Sequence, residues 1–229
     1  MTSETVSAIV QARMGSSRLP NKSMLYLHGY PIIHWIFHRV KKTKKLDNIV
    51  FALPDNHKDD ILHKYLDSLG ANVYRGSEND LIKRFLETAQ KYNIKNIVRI
   101  CADNPLISAS EIDRLIEYYL KNDTDYCYNH MPINNLYPDG LGAEIFSYKL
   151  LHEINECAKE SKYREHVTNF IWDNEKNYKI STFDPPKNLC DPNLKLDLNT
   201  YEEYNFLMSK PYNINMDADE VVKTSKTST

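Results

Sequence analysis

The chain lacks most features that would mark it for a special environment or a polymeric partner. Its 229 residues carry a formal net charge of −2, so bulk charge does not favour nucleic-acid or membrane binding. Its four cysteines, at positions 101, 127, 157 and 190, form no CxxC pair, which argues against a zinc site or a thioredoxin-like motif. No apolar run approaches about 18 residues, and no basic-then-apolar signal pattern opens the sequence. We therefore expect a cytoplasmic protein with reduced thiols.

Strand and helix patterns alternate along the first half of the chain. Strands are predicted at residues 6–10, 48–53, 71–74 and 96–101, and helices at 31–40, 57–69, 79–92 and 108–120. Such alternation indicates an α/β fold with a parallel sheet and right-handed crossovers. The second half is less regular, with strands predicted at 125–129, 141–146, 178–183 and 194–198, and helices at 147–158, 164–172 and 200–208.

The domain organisation follows from the absence of linkers and repeats. No stretch is rich in Gly or Ser, and no segment is repeated, so residues 1–209 are predicted to form a single domain. Residues 210–229 are predicted to be a C-terminal tail. Its last part, 223–229, contains only Lys, Ser and Thr, and is expected to be disordered.

Three cations lie on the loop between the first predicted strand and the first helix. Arg13, Arg18 and Lys22 would lie at a strand end, where open α/β sheets bind ligands. The small residues at 15–17 would let backbone N–H groups approach a ligand closely, and the natural ligand is a polyphosphate. The loop is not a Walker A motif, because Pro20 stands where a glycine is required. Since the chain as a whole is not basic, the local charge favours a small anion over a polymer.

Acidic side chains near two other predicted strands suggest a metal site. Asp103 follows the strand at 96–101 and would lie at the same sheet edge as the cationic loop. A carboxylate repels a polyphosphate unless a divalent cation intervenes, and Mg²⁺ prefers such carboxylate and phosphate oxygens. Asp197 and Asn199 would point the same way on a strand, so either could reach the metal. Asn199 could equally be the N-cap of the last helix.

Two further polar segments are candidates for base and acceptor recognition. Gly76 and Ser77 could approach a flat base, and Asp80 or Arg84 could contact sugar or phosphate. The alternative is that Ser77 or Asn79 simply caps the following helix.

In the irregular half, Arg164 would bind the carboxylate or phosphate of an acceptor through its guanidinium fork. His166 could bind the acceptor or accept its proton, or it could be a hydrogen-bonded, half-buried histidine. Asp139 and Glu144 lie in a second polar cluster of this half and complete the set of candidate acceptor-binding residues.

Five segments carry a family resemblance, in this order along the chain: Gln11-Ala12-Arg13-x-x-Ser16-x-Arg18-Leu19-Pro20-x-Lys22, Tyr74-Arg75-Gly76-Ser77, Cys101-Ala102-Asp103-Asn104-Pro105-Leu106-Ile107, Tyr137-Pro138-Asp139-Gly140 and Arg164-Glu165-His166-Val167-Thr168. Together they resemble the cytidylyltransferases, in particular the group named after spore-coat polysaccharide biosynthesis protein F. The CMP-KDO synthetases and acylneuraminate cytidylyltransferases are wider relatives. The resemblance spans residues 6–208.

The resemblance implies a three-layer α/β/α Rossmann-like nucleotide-diphospho-sugar transferase fold with a mostly parallel central sheet. It implies CTP as donor, Mg²⁺ as cofactor, pyrophosphate as product and a homodimer. The acceptor would be a sugar acid or a phosphorylated small molecule, in surface polysaccharide or glycoconjugate precursor biosynthesis. The resulting candidate site has Arg13, Arg18 and Lys22 as catalytic residues; Gln11, Ala12, Gly15, Ser16, Arg75, Gly76, Ser77, Asp80 and Ala102 as further nucleotide-binding residues; Asp103 with Asp197 or Asn199 at the metal; and Asp139, Glu144, Arg164 and His166 at the acceptor.

One departure from the family pattern leaves alternatives open. The late motif usually reads Asp-Thr, and here it reads Asn199-Thr200, which makes Asp197 the alternative second carboxylate. The departure is the one feature that favours a non-catalytic nucleotide-binding relative, which the retained loop cations and Asp103 oppose. A glycosyltransferase on the same fold is a second alternative. Such enzymes usually carry Asp-x-Asp, whereas this strand end reads Asp103-Asn104-Pro105.

Overall fold

A seven-stranded sheet forms the centre of the computed structural model, which describes residues 5–227. Its strands are β1 (Val6–Gln11), β4 (Asn48–Pro54), β5 (Asn72–Gly76), β6 (Asn96–Cys101), β7 (Tyr126–Tyr128), β8 (Glu144–Ser147) and β9 (Ile180–Ser181), and β2 (Tyr26–Leu27) and β3 (Tyr30–Pro31) form a separate hairpin. The strand order in the sheet is β5-β4-β1-β6-β8-β7-β9. β1 runs parallel to β4 and β6, whereas β8 runs antiparallel to both β6 and β7.

The register of the parallel strands brings their carboxyl ends to one edge. Gln11, the last residue of β1, lies opposite Ala52 of β4 and Cys101 of β6. The loops that follow β1 and β6 therefore leave the sheet side by side, as the sequence predicts for the cationic loop and Asp103.

Helices cover both faces of the sheet. They are α1 (Ile32–Val40), α2 (Asp60–Ser68), α3 (Leu81–Lys91), α4 (Ala109–Lys121), α5 (Tyr148–Cys157), α6 (Ser161–Arg164), α7 (Asn169–Asp173), α8 (Tyr201–Ser209) and α9 (Ala218–Lys226). Two separate hydrophobic clusters form, one with α1, α2, α4, α8 and α9 and the other with α3, α5, α6 and α7. Within β1, Val10 belongs to the first cluster and Ile9 to the second, because successive side chains point to opposite faces. The predicted three-layer α/β/α arrangement with a mostly parallel sheet is confirmed.

The structure differs from the sequence prediction in three segments. The helix predicted at 164–172 is interrupted, because α6 ends at Arg164 and α7 begins at Asn169, with buried Val167 between them. The strand predicted at 194–198 reduces to a single bridge between Asp139 and Lys195.

The chain beyond residue 209 is also more ordered than expected. α9 has a capping box at Asp217 and Glu220, and its Val221 and Val222 are buried in the first hydrophobic cluster. The disorder expected at 223–229 is therefore wrong for residues 223–227, because the helix packs on the core and continues through Lys226. Residues 228 and 229 lie outside the described part of the chain.

Among the helices of residues 5–227, none combines the length and the apolar character needed to cross a membrane.

Candidate active site

A cavity of about 240 Å³ opens at the carboxyl edge of the sheet. Its walls come from the loop after β1, the segment after β6, the start of α3 and the turn between α6 and α7. Eleven of the predicted site residues line it: Gln11, Ala12, Arg13, Ser16, Arg18, Lys22, Ala102, Asp103, Arg164, His166 and Asn199. The sequence therefore predicts most of the cavity wall, although these residues come from segments up to about 190 positions apart.

The cationic loop is held in place by contacts with the body of the protein. The carboxylate of Asp59 accepts a hydrogen bond from the Met14 backbone N–H at 2.7 Å, and burial raises the pKa of Asp59. The Ser16 hydroxyl accepts from the Leu19 N–H at 3.3 Å, and the Leu19 side chain is buried. The Ser23 hydroxyl donates to the Arg13 carbonyl at 3.2 Å. The loop conformation is thus set by the protein itself.

Two loop cations reach across the cavity. The Lys22 ammonium lies 3.3 Å from an Asp103 carboxylate oxygen and donates to the Leu198 carbonyl at 2.8 Å. The Arg18 guanidinium donates to the Asn199 side-chain oxygen at 3.0 Å. These contacts bring the first loop, the end of β6 and the segment before α8 to one place.

The positive charge of Arg13 acts on two other side chains of the cavity wall, Arg84 and His166. Its exposed guanidinium makes no ion pair or hydrogen bond within residues 5–227, and its charge lowers the pKa of both Arg84 and His166. It is therefore free to bind an anionic ligand.

Arg84 is a buried cation in the cavity wall, and the sequence suggested it only as a contact for sugar or phosphate. It is 4% exposed, and its guanidinium donates to the Ser77 carbonyl at 2.5 Å. Its Nε has no partner in the described structure. Burial, with Arg13 as the next cause, lowers the pKa of Arg84 to about 10, so it remains charged at neutral pH. Two neighbouring guanidinium groups favour an anion between them.

Other lining residues were missed by the sequence reasoning: Ser23, Glu78, Leu81 and Glu165. Nothing in the pattern of Ser23, Glu78 and Leu81 distinguishes them from ordinary helix-start and turn residues, whereas Glu165 lies within the motif at residues 164–168. Ser17 and Asn79, considered only for backbone approach and for helix capping, also line the cavity.

The carboxylates beside the cavity fit a divalent cation. Asp103 is partly exposed, and the Asp197 side chain accepts a hydrogen bond from the Asn199 amide. The other Asp197 oxygen is buried and has no partner, and burial raises the pKa of this carboxyl with Glu203 and Asp103 as further causes. Residues 5–227 contain no group of three His, Cys, Asp or Glu side chains able to hold a metal alone. Mg²⁺ needs only one or two carboxylates when phosphate oxygens complete its shell.

Asp197 and Asn199, the two candidates for the second metal contact, differ in their surroundings. Both ends of the Asn199 amide are engaged, one with Arg18 and the other with Asp197. The N-cap of α8 is Thr200, not Asn199, and Glu203 completes a capping box. Asp197 keeps one oxygen without a partner, whereas Asn199, and not Asp197, lines the cavity, so each remains a candidate for the second metal contact.

Several predicted nucleotide-binding residues do not line the cavity. They are Gly15, Arg75, Gly76, Ser77 and Asp80. Arg75 is paired with Asp60 at 2.5 Å, and Asp80 is the N-cap of α3, accepting from the Lys83 N–H at 2.9 Å. The Ser77 hydroxyl accepts from the Asp80 N–H at 3.1 Å. The capping alternative thus describes this segment better, with Asp80 rather than Ser77 or Asn79 as the cap.

The predicted acceptor residues divide into two groups. Arg164 and His166 line the cavity, and Arg164 is held by the Asn155 side chain at 2.8 Å and by Asp80 at 3.4 Å. Burial, assisted by the charge of Arg99, lowers the pKa of His166. The shift favours the neutral imidazole.

Asp139 and Glu144 are not part of the cavity wall. Burial and the nearby Asp197 raise the pKa of Asp139 to about 6. Glu144 is 3% exposed and forms an ion pair with Arg99, with His130 at 3.2 Å from the same carboxylate. These partners enclose the Glu144 side chain, and the structure does not bring it to the cavity.

The fold and the site together define a class. A mostly parallel sheet with a cationic loop after its first strand and an acidic residue at the end of the adjacent strand is typical of α/β proteins that bind an anionic ligand at this edge.

Comparison with known proteins identifies the family. The model of the cytidylyltransferase family matches residues 7–221, so the chain belongs to this family. The spore coat polysaccharide biosynthesis protein SpsF of Bacillus subtilis is 33% identical over 86% of this chain and 82% of its own length. A cytidylyltransferase structure from Leptospira borgpetersenii is 30% identical, with a TM-score of 0.88 over 97% of this chain and 94% of its own.

A more distant structure supports the fold alone. A CMP:2-keto-3-deoxy-manno-octonic acid synthetase, solved with CTP, is 13% identical, with a TM-score of 0.68 over 90% of this chain and 97% of its own. Membership of the cytidylyltransferase family favours a nucleotidyltransferase over the glycosyltransferase and the non-catalytic alternatives.

Proposed function

We propose that the protein transfers CMP from CTP to a small anionic acceptor and releases pyrophosphate. The acceptor oxygen attacks the α-phosphorus, and the bond from this phosphorus to the pyrophosphate oxygen breaks. The observation that carries the proposal is the convergence of Arg18, Lys22 and Asp103 on one cavity through direct contacts. Family membership and the CTP-bound structural relative support cytidine as the base.

The loop cations stabilise the charge that develops on the leaving pyrophosphate. Arg13, Arg18 and Lys22 all line the cavity, and Lys22 lies next to Asp103. Preorganised cations aimed at developing charge supply a large part of the rate in phosphoryl transfer.

A divalent cation, Mg²⁺ in this proposal, fits the same place. Asp103 and Asp197 would hold it, because Asp103 borders the cavity and Asp197 has a buried oxygen without a partner. When bound, the ion supplies charge neutralisation at the phosphate oxygens.

Arg164 and His166 bind the acceptor. The Arg164 guanidinium is fixed by Asn155 and lines the cavity, which suits a carboxylate or phosphate group. Neither ring nitrogen of His166 is hydrogen-bonded to another described residue, and its lowered pKa leaves the ring able to accept the proton of the acceptor hydroxyl. The similarity to a polysaccharide biosynthesis protein favours a sugar acid or a phosphorylated sugar precursor.

Pyrophosphate release tests this function. Each of the four nucleoside triphosphates is incubated with Mg²⁺ and the enzyme, with and without a 2-keto sugar acid or a sugar phosphate. We expect pyrophosphate release with CTP and one acceptor class, and no release without acceptor.

A substitution in the loop tests the role of its cations. Arg13→Ala should abolish the release of pyrophosphate. The matched control, Lys149→Ala, removes an exposed cation of α5 whose one ion pair in the described part of the chain is with Glu153, and it should leave the rate unchanged. Release with UTP or ATP in preference to CTP would contradict the proposed base.

A further inference from the structure

A buried polar cluster lies directly beneath the cavity. Arg99 of β6 is 7% exposed, forms an ion pair with Glu144 of β8, and donates through Nε to the Gln11 side-chain oxygen at 2.9 Å. It also lies 3.4 Å from the Thr168 hydroxyl. The Glu144 carboxylate in turn lies 3.2 Å from the His130 ring. The cluster links the last residue of β1 to the segment that carries Arg164 and His166.

We infer that Arg99 fixes the Gln11 side-chain amide with both N–H groups facing the cavity, where they donate to an oxyanion of the bound substrate. The inference rests on the proposed function, since it adds a binding group and its positioning residue to the same site. The oxyanion is either a nucleotide phosphate or the acidic group of the acceptor, because both present the same oxygen chemistry.

The orientation of the amide follows from the chemistry of arginine. A guanidinium N–H only donates, so the Gln11 atom that it contacts must be the oxygen. The amide nitrogen is then the group that remains. It makes no hydrogen bond to any residue in the described part of the chain, and Gln11 lines the cavity. Gln11 therefore offers donors and no acceptor to a ligand.

Stability alone does not explain the cluster. A buried ion pair is often no more stabilising than a well-packed apolar pair of similar volume. Here one Glu144 oxygen and the His130 Nδ1 are buried without a partner, which adds cost. Ile97, two residues earlier on the same face of β6, is fully buried and apolar, so this face accommodates hydrophobic side chains. Packing alone does not explain a buried arginine at position 99, whereas a role in positioning Gln11 does.

The surroundings of Gln11 match an oxyanion. Ala102 donates its backbone N–H to the Gln11 carbonyl at 3.0 Å, so the last residue of β1 lies beside the segment that carries Asp103, and Lys22 is paired with that carboxylate. The charge of Arg99 itself is balanced by Glu144, while its field still lowers the pKa of His166. Gln11 thus adds neutral donors between the phosphate loop and the proposed acceptor residues.

The sequence offers a direct spectroscopic test, because Gln11 and Gln90 are its only glutamines. Labelling glutamine side-chain amides with ¹⁵N gives two pairs of N–H signals, and Gln90, exposed on α3, is the internal control. The full chain is titrated separately with inorganic phosphate, CMP and a 2-keto sugar acid. We expect the Gln11 signals to shift with at least one of them while the Gln90 signals stay. A shift with CMP assigns the oxyanion to the nucleotide, and a shift with the sugar acid alone assigns it to the acceptor.

The inference is overturned if all three oxyanions leave the Gln11 signals unmoved at saturating concentration. Failure of the proposed function looks different, because the Gln11 signals then respond to phosphate while CTP yields no pyrophosphate with any acceptor.

Substitutions separate positioning from folding. Gln11→Glu keeps an oxygen for Arg99 and replaces the donors with a second oxygen, so the melting temperature should hold while kcat/KM falls at least about tenfold. Gln90→Glu makes the same chemical change on an exposed surface and should have no effect. Arg99→Met with Glu144→Leu should fold, release the amide and broaden or move the Gln11 signals. If that double variant does not fold, Gln11→Glu decides alone. Wild-type kcat/KM in Gln11→Glu would refute the inference.

Discussion

Arg18→Ala separates the contribution of the loop to catalysis from its contribution to stability. The Arg18 side chain is exposed, and within residues 5–227 its one hydrogen bond is that of 3.0 Å to Asn199. Losing an exposed hydrogen bond of this kind should cost less than about 1 kcal/mol of folding free energy. Losing a cation aimed at the developing charge should cost about 2–4 kcal/mol in the transition state, or roughly 30- to 1,000-fold in kcat/KM.

Two measurements on the same preparation decide the outcome. Thermal denaturation gives the folding cost, and pyrophosphate release from CTP with acceptor gives kcat/KM. Arg18→Lys keeps the charge but not the planar fork, so its activity should lie between wild type and Arg18→Ala. Lys149→Ala is the control for the loss of an exposed cation. Turnover within about threefold of wild type in Arg18→Ala would refute the assignment of this loop to the phosphates, since that is far below the effect of one key donor.

Further predictions concern the metal, the proton and the buried histidine. Stabilisation by CTP in a thermal shift assay should require Mg²⁺ and should be lost when EDTA is added. It should also be absent in Asp103→Asn. A normal melting temperature of this variant without ligand would show that the lost response is not caused by unfolding. Asp197→Asn should raise the Mg²⁺ concentration needed for half-maximal rate. Asn199→Ala should mainly raise the KM for CTP, because it releases Arg18. The reverse pattern would contradict the proposal that Asp197 is the second metal ligand. Because burial lowers the pKa of His166 below its ordinary 6.5, kcat/KM should fall only at pH values below 6.5, and His166→Gln should lose this acid limb. Burial also lowers the pKa of His130, so the unfolded state takes up a proton before the folded state does as the pH falls below 6.5. The free energy of unfolding should therefore decrease in that range. In thermal denaturation, His130→Gln should show a weaker dependence of stability on pH.

The edge of the sheet could be predicted because it depends only on strand direction. The loop after β1 and Asp103 after β6 follow strands of the same direction, and adjacent parallel strands end at one edge. The position of Arg13, Arg18 and Lys22 at this edge therefore follows from the sequence alone.

Other parts of the site depend on register and packing, which the pattern does not contain. Arg99 and Glu144 form a pair because they lie directly opposite each other in the antiparallel β6–β8 ladder. Two predicted strands separated by more than 40 residues do not specify such a register. Arg84 lies on α3 among apolar positions, where hydrophobic periodicity alone cannot show that its head group enters the cavity. The composition of 223–229 indicated disorder, whereas the preceding Val221 and Val222 hold the helix on the core.

The contacts within the site also explain how it is ordered before a ligand binds. Lys22 is held by Asp103 and the Leu198 carbonyl, Arg18 by Asn199, and Arg164 by Asn155 and Asp80. Long cationic side chains that are already fixed lose less conformational entropy on binding, so more of the interaction energy remains for the ligand. The same contacts join segments that are far apart in the sequence. A substitution at one of these residues displaces its partner as well, and substitutions at both ends of a contact should therefore combine non-additively.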